Sequence, residues 1–181
     1  MKRTPETTRT LYCDPGEDFG WCIARDTKLL AGGTAKMWTM TDAIQDVLDK
    51  PDSEFCYINS KANLRNGVGA EENRGPVGRI VCEDFRIYPW KAKELAWDRV
   101  RTARAIGAIT HMCRQFNIPL ILQGANIKAA ARAAGAEELY WKPLHENRHQ
   151  NDAIQHYAYF TAVELQGLPI PMPDTGPEDY E

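Results

Sequence analysis

The sequence predicts an α/β domain built on a mixed sheet, and three observations predict it. Short strand-like runs separated by turn residues come first in the chain. Helical and strand-like runs then alternate through the remainder. The 181 residues amount to one domain when read against roughly 150 per domain. A composition 43% hydrophobic and 26% charged is that of a globular protein. A chain of this size buries about 70% of the surface it exposes when unfolded, enough for a core without staples.

Residues 1–9 are polar and read as a flexible arm. Thr10–Asp14 reads as a strand, stopped by Pro15-Gly16. Gly20–Arg25 and Leu29–Trp38 read as two more, with Asp26 at the turn between them and Gly32-Gly33 marking a bulge. Thr41 is placed to N-cap a short helix carrying Ile44, Val47 and Leu48. Phe55–Ile58 reads equally as a strand or as loop. Lys61–Arg79 is polar and holds Gly67, Gly69, Gly75 and Gly78, the composition of a long mobile loop. Arg79–Phe85 is a strand. Lys91–Phe116 is the longest helical pattern, with Ile106, Ile109, Cys113 and Phe116 on one stripe. Leu120–Leu122 follows as a short buried strand, Ile127–Ala134 as an alanine-rich helix ended by Gly135, and His149–Leu165 as the closing helix. In 167–181, Pro169, Pro171, Pro173 and Pro177 with terminal acids exclude a regular element, so this stretch reads as a surface or disordered tail. The domain proper is therefore expected over 10–166.

Composition excludes several classes. There is no run of 18 apolar residues and no apolar segment in the first ten, so neither a membrane span nor a secretory leader is expected. Five cysteines without a C-x-x-C pair read as reduced thiols in a cytosol rather than as a zinc site. A net charge of −3 gives no global argument for nucleic acid, so any such argument is local.

The chemistry sits at the ends of two strands. Period-two alternation groups Leu11 with Cys13 and, on the opposite face, Tyr12 with Asp14. It likewise groups Ile80, Cys82 and Asp84 against Val81, Glu83 and Phe85. If the two strands are neighbours, Asp14 and Glu83 project from one side of the sheet, where they repel unless a cation sits between them. On the closing helix, His149 and Asp152 are three residues apart and share a face, with His156 four further on. Oxygen-rich ligation with one imidazole suits Mg²⁺ or Mn²⁺ better than zinc. Two such ions about 4 Å apart activate a water and stabilise a leaving phosphodiester oxygen. Each residue also has a plainer reading. Asp14 before Pro15-Gly16 reads also as turn chemistry, and His149 as a surface or capping residue. His145 and His156 read as polar surface or helix-face residues, and Cys13 and Cys82 as core.

Asp14-Pro15-Gly16 with Gly20-Trp21, then Val81-Cys82-Glu83-Asp84-Phe85, then His149-x-x-Asp152-Ala153, resembles the RuvC-like Holliday junction resolvases of the ribonuclease H-like superfamily. The resemblance runs in order over roughly residues 10 to 165 and looks closest to bacteriophage-encoded members. It implies a ribonuclease H-like fold with a central mixed five-stranded sheet flanked by helices. It implies that Asp14, Glu83 and Asp152 bind two Mg²⁺ or Mn²⁺ ions. His149 falls where the family has a fourth acid or a histidine, as a ligand or a proton handler. Lys128, in Gln123-x-x-Asn126-Ile127-Lys128, falls near a lysine used beside the scissile phosphate. Phe19 departs from the Thr that often precedes the Gly-Trp pair, and Glu17 and Asp18 are additional acids in this turn. The family further implies a homodimer cutting opposed strands of a four-way junction, in a host cytoplasm for a phage protein, where branches must be cleared before packaging.

Phosphate contacts are expected from local basic runs. Arg86, Lys91, Lys93, Arg99, Arg101 and Arg104 outnumber Glu94 and Asp98 between residues 86 and 104, a net +4 next to Glu83. Residues 61–79 add a net +2, and Lys128 and Arg132 share one helical face. Tyr88, Trp90 and Trp97 could stack on opened base pairs, or pack, Trp97 under the long helix and Trp90 against a turn. The expected function is a metal-dependent, structure-selective DNA endonuclease. Two other readings stay open: the same fold acting on RNA–DNA hybrids or linear DNA, and a non-catalytic junction-binding protein whose acids are structural.

Overall fold

The first expected strand, β1, runs Arg9–Asp14 in the computed structural model, which describes residues 9–50, 63–64, 74–85, 97–140 and 148–167. Arg9, which the sequence leaves in the arm, is instead buried at the start of β1, and its guanidinium donates to the carbonyl of Gly75. β1 pairs antiparallel with β2 (Asp18–Arg25), which pairs antiparallel with β3 (Lys28–Lys36). The β2–β3 turn is tight because Asp26 takes the left-handed region at φ 51°, which a short polar side chain tolerates. The irregularity in this hairpin lies at Leu30, where the register shifts between Ile23 and Ala24, and not at Gly32-Gly33. Gly33 instead faces Trp21, whose indole lies 3.2 Å from where a Cβ would stand.

On its other side β1 pairs in parallel with β5 (Val77–Asp84), which pairs in parallel with β6 (Leu120–Gly124). A two-residue strand, β4 (Asn63–Leu64), edges β3 inside the stretch expected to be loop. The sheet order is β4-β3-β2-β1-β5-β6, so the expected mixed five-stranded sheet carries a sixth, very short strand. β6 is the opposite edge, and Leu122 there is exposed rather than buried.

Alternation along the strands makes two cores. Leu11, Cys13, Trp21, Ile80 and Cys82 pack on one face beneath α1 (Met37–Asp49) and α2 (Trp97–Gln115), through Ile44 and Ile109 among others. Tyr12, Cys22, Ala24 and Val81 pack on the other beneath α3 (Lys128–Ala133) and α4 (Arg148–Phe160). Tyr12 meets Tyr157 and Phe160 of α4 edge-on at 5.3 and 6.0 Å, which fixes that helix across the centre of the sheet. α1 begins four residues before Thr41. Its first amide, of Met37, donates to the Glu17 carbonyl, and the Thr41 hydroxyl donates back to Trp38 instead of capping. α3 ends as expected at Gly135, whose φ of 82° is the left-handed conformation of a helix stop. α4 continues as a π-helical turn over Thr161–Leu165.

Cys13, Cys22, Cys82 and Cys113 are buried free thiols, and burial pushes the first three well up, so Cys13 and Cys82 are core residues as expected. No described helix is long and apolar enough to cross a membrane. Residues 1–8, Phe55–Ile58 and the tail from 168 lie outside the described residues.

Candidate active site

Cys13 stands opposite Cys82 in the parallel β1–β5 pair, so the next residues, Asp14 and Glu83, leave adjacent strands at one edge and on one face. That face is covered by α3 and α4. Asp14 is buried and Glu83 mostly so, with its side chain 20% exposed. α4 brings three polar side chains to them. His149 Nδ1 lies 3.1 Å from Asp14 Oδ2. Asp152, also buried, lies one helical turn further on. His156 is fully buried, with Nε2 3.0 Å from Glu83 Oε2 and Nδ1 2.9 Å from Gln123 Oε1.

Lys128, the first residue of α3, closes the cluster. Its Nζ stands 3.0 Å from Glu83 Oε2 and 3.0 Å from Asp152 Oδ2, so one ammonium holds two carboxylates together. Arg148, on the exposed side of α4, reaches Asp152 only at 3.9 Å. The close docking of α4 depends on Gly20, the residue paired with Asp14. A Cβ there would stand 1.8 Å from the His149 carbonyl oxygen, so only glycine lets the helix backbone lie against β2. Gly20→Ala is expected to push α4 outward, separate His149 from Asp14 and destabilise the fold by about 1–3 kcal/mol, as overpacking does. Thermal unfolding and the His149 imidazole chemical shift check this; an unmoved resonance would mean that Gly20 does not set the helix position.

The electrostatics follow from burial and neighbours. Burial pushes Asp14 above the ordinary carboxylate range, with Glu83 and Asp152 adding to the shift and the His149 hydrogen bond opposing it. Burial pushes Glu83 the same way, but the His156 hydrogen bond and the Lys128 ammonium outweigh it and hold Glu83 at about 2. Burial lowers Lys128, and Glu83, Asp152 and Asp14 more than restore it. The hydrogen bond to Asp14 raises His149 against its partial burial. A carboxylate lowered on folding adds stability that is complete above its unfolded value, 4.5 for Glu83, and is lost as pH falls toward 2. In chelator, the wild type is therefore expected to lose more thermal stability than Glu83→Gln between about pH 6 and about pH 3. Parallel acid melting curves would contradict this.

Among the described residues, no three His, Cys, Asp or Glu side chains stand together as ligands for a metal ion. The reason is visible in the pairing: Lys128 sits between Glu83 and Asp152, while Asp14 is engaged by His149. The donor set nevertheless fits a hard divalent cation. Three carboxylates from three elements converge, Asp14 is raised in part by the other two, and a cation already neutralises the pair Glu83–Asp152.

The structure thus brings together Asp14, Glu83, Lys128, His149 and Asp152, all expected from the sequence. Of the two readings of His156, surface or helix-face, its burial corrects the first: it is the most buried polar side chain of the cluster because α4 lies flat on the sheet. Its signal was the spacing: His149, Asp152 and His156 fall on one helical stripe. Gln123, at the end of β6, carried no signal of its own. Of the expected phosphate contacts, Arg101, Arg104 and Arg132 are exposed, and Arg101 is tied to Glu17 at 2.5 Å. Arg99 lies in α2 with its side chain outside the description, as does that of Trp97. Arg86, Tyr88, Trp90, Lys91, Lys93 and His145 lie outside the described residues.

No protein family matches the sequence, and no curated protein does. Solved structures do match, and they show that the chain has a RuvC-like fold. Two of them are structures of RuvC from Thermus thermophilus. The one in complex with a Holliday junction substrate aligns with a TM-score of 0.57 at 14% identity, over 88% of this chain and 96% of that one. The other gives 0.51 at 16% identity, over 91% and 99%. At such identities the likeness establishes the fold.

Proposed function

We propose that the protein is a metal-dependent endonuclease that cuts branched DNA, with four-way junctions as the leading substrate. The observation that carries this reading is the convergence of Asp14, Glu83 and Asp152 at one end of a RuvC-like sheet, with Glu83 and Asp152 held by the Lys128 ammonium and Asp14 by His149. Isolated buried carboxylates are costly, and three of them kept together imply a use for their charge. The RuvC structure bound to a Holliday junction substrate supports branched DNA as the ligand.

Asp14, Glu83 and Asp152, with His149 beside them, would hold Mg²⁺ or Mn²⁺, two ions per site. Such ions supply a water nucleophile at neutral pH and stabilise charge on the leaving oxygen. The chain's own residues do the rest. His149 Nδ1 orients Asp14 and is placed to hold a proton there. His156 and Gln123 fix the Glu83 carboxylate from behind. Lys128 keeps Glu83 and Asp152 together and, when released from them, offers its ammonium to the phosphate. Arg104 and Arg132 supply exposed positive charge for the flanking backbone. Two copies, as a homodimer, would cut opposed strands symmetrically.

Lys128→Met tests the cation site without relying on activity. In chelator it is expected to destabilise the protein by about 2 kcal/mol, because Glu83 and Asp152 lose the ammonium they share. Added Mg²⁺ or Mn²⁺ is expected to raise the melting temperature of the variant more than that of the wild type. Equal shifts would place the ions elsewhere.

The test of the function is cleavage of a labelled immobile four-way junction beside a matched duplex and an RNA–DNA hybrid, with Mg²⁺, Mn²⁺ or chelator. Symmetric nicks near the branch point, present only with metal, are expected. Equal cutting of all three would leave a nuclease and remove the junction preference; tight binding without cleavage under any metal would make the acids structural.

A further inference from the structure

Away from the acid cluster, the β1–β2 turn, the start of α1 and the middle of α2 enclose a cleft of roughly 420 Å³, lined by Glu17, Lys36, Met37, Trp38, Arg101 and Arg104. We propose that this cleft binds an unpaired nucleotide of the DNA, its base stacked on Trp38 and its phosphate on Arg104. The inference rests on the proposed action on DNA.

Trp38 is 64% exposed, the most of any large apolar side chain among the described residues, ahead of Leu122 and Val100. It stands in the first turn of α1, so its backbone is held by the helix while its indole faces solvent. A rigid exposed ring beside positive charge is what stacks a base, since every base presents a π-face. The charges in the cleft are not equivalent. Lys36 is bound to Asp18 at 2.6 Å and Arg101 to Glu17 at 2.5 Å. The two acids that looked out of place in the sequence thus neutralise two of the three cations. Arg104, exposed on the same helix face as Arg101, has no carboxylate partner among the described residues and remains available to a phosphate. The cleft therefore offers one stacking surface and, among the described residues, one cation without a carboxylate partner, the recognition elements of a single nucleotide rather than of a duplex backbone.

Its position suits that role. Glu17 is three residues from Asp14, so the cleft opens within about 11 Å of chain from the candidate catalytic acid. The two sites share the sheet edge but lie on opposite sides of it, the acids under α3 and α4 and the cleft beside α1 and α2. A strand with a phosphate at Asp14 would cross the β1–β2 turn and place a nearby nucleotide against Trp38. Only a nucleotide freed from its complement can make that turn and stack.

The experiment is fluorescence anisotropy of a labelled short oligothymidylate and of a blunt duplex of equal length, both in chelator at one salt concentration. Trp38→Ala is expected to weaken oligothymidylate binding about tenfold or more, with Trp38→Phe retaining most of the affinity and duplex binding unchanged. Arg104→Ala is expected to weaken the oligothymidylate and flatten its salt dependence. Circular dichroism of Trp38→Ala should match the wild type, because the removed ring is on the surface. Unchanged oligothymidylate affinity in Trp38→Ala, or equal losses on both DNAs, would overturn the inference while leaving junction cleavage standing. A wild type that binds neither these DNAs nor a junction would overturn the functional reading, and this inference with it.

Discussion

Asp14→Asn is expected to reduce junction cleavage by on the order of a thousandfold or more while leaving junction affinity in chelator intact. The substitution keeps the size of the side chain and an oxygen that can accept from His149, so the geometry around β1 is preserved. What it removes is the charge. Asp14 is buried beside Glu83 and Asp152, which already push its carboxyl upward, so the neutral amide relieves repulsion in the metal-free protein. Its melting temperature in chelator is therefore expected to equal or exceed that of the wild type, and the stabilisation given by Mg²⁺ to shrink. Single-turnover cleavage, gel shift in chelator and thermal melting with and without metal would check the three parts. A variant that fails to fold would make Asp14 a turn residue, held for the sake of Pro15-Gly16.

His156→Ala carries the second large effect, on two quantities at once. The ring is fully buried and spans Glu83 and Gln123, so its removal leaves a hole and two polar groups without their partner. A stability loss of about 2–4 kcal/mol is expected. Because the imidazole orients a candidate metal ligand, cleavage is expected to fall about 10–100-fold, with a raised Mg²⁺ requirement. His156→Gln, which can still donate toward Glu83, is expected to recover part of the metal affinity. A variant that loses stability but keeps the wild-type Mg²⁺ dependence would reduce His156 to a packing residue.

The contrast between these two residues reflects what a sequence can encode locally. Asp14 and Glu83 were legible because period-two alternation is strict, and each acid follows a cysteine committed to the opposite core. Which strands are neighbours was not encoded locally, yet once β1 and β5 pair, their register follows. His149 and Asp152 were legible through helical spacing. The same spacing put His156 on that face but not its burial, because spacing does not say how much of a helix is covered, and α4 is buried over nearly all of its length by a sheet on one side and α3 on another. The start of α1 was misjudged because a backbone contact from a distant turn, Glu17 to Met37, displaced the expected side-chain cap. Glu17 and Asp18 were unexplained for a related reason: their partners, Arg101 and Lys36, are far along the chain or across a hairpin.

The hydrogen bond between His149 and Asp14 joins residues 135 apart in sequence, and that between His156 and Glu83 joins residues 73 apart. During synthesis the acidic strand ends therefore emerge long before the helix that completes them. Closing so long a loop carries an entropy that local contacts cannot offset, and parallel pairing of β1 with β5 adds its own delay. A ribosome-bound chain stopped before α4 would hold Asp14 and Glu83 without either imidazole, and would leave Tyr12, Cys22 and Val81 open to water. The candidate site is thus incomplete until α4 has been made. The order of translation keeps the acids of β1 and β5 apart from the imidazoles of α4 until that helix is synthesised.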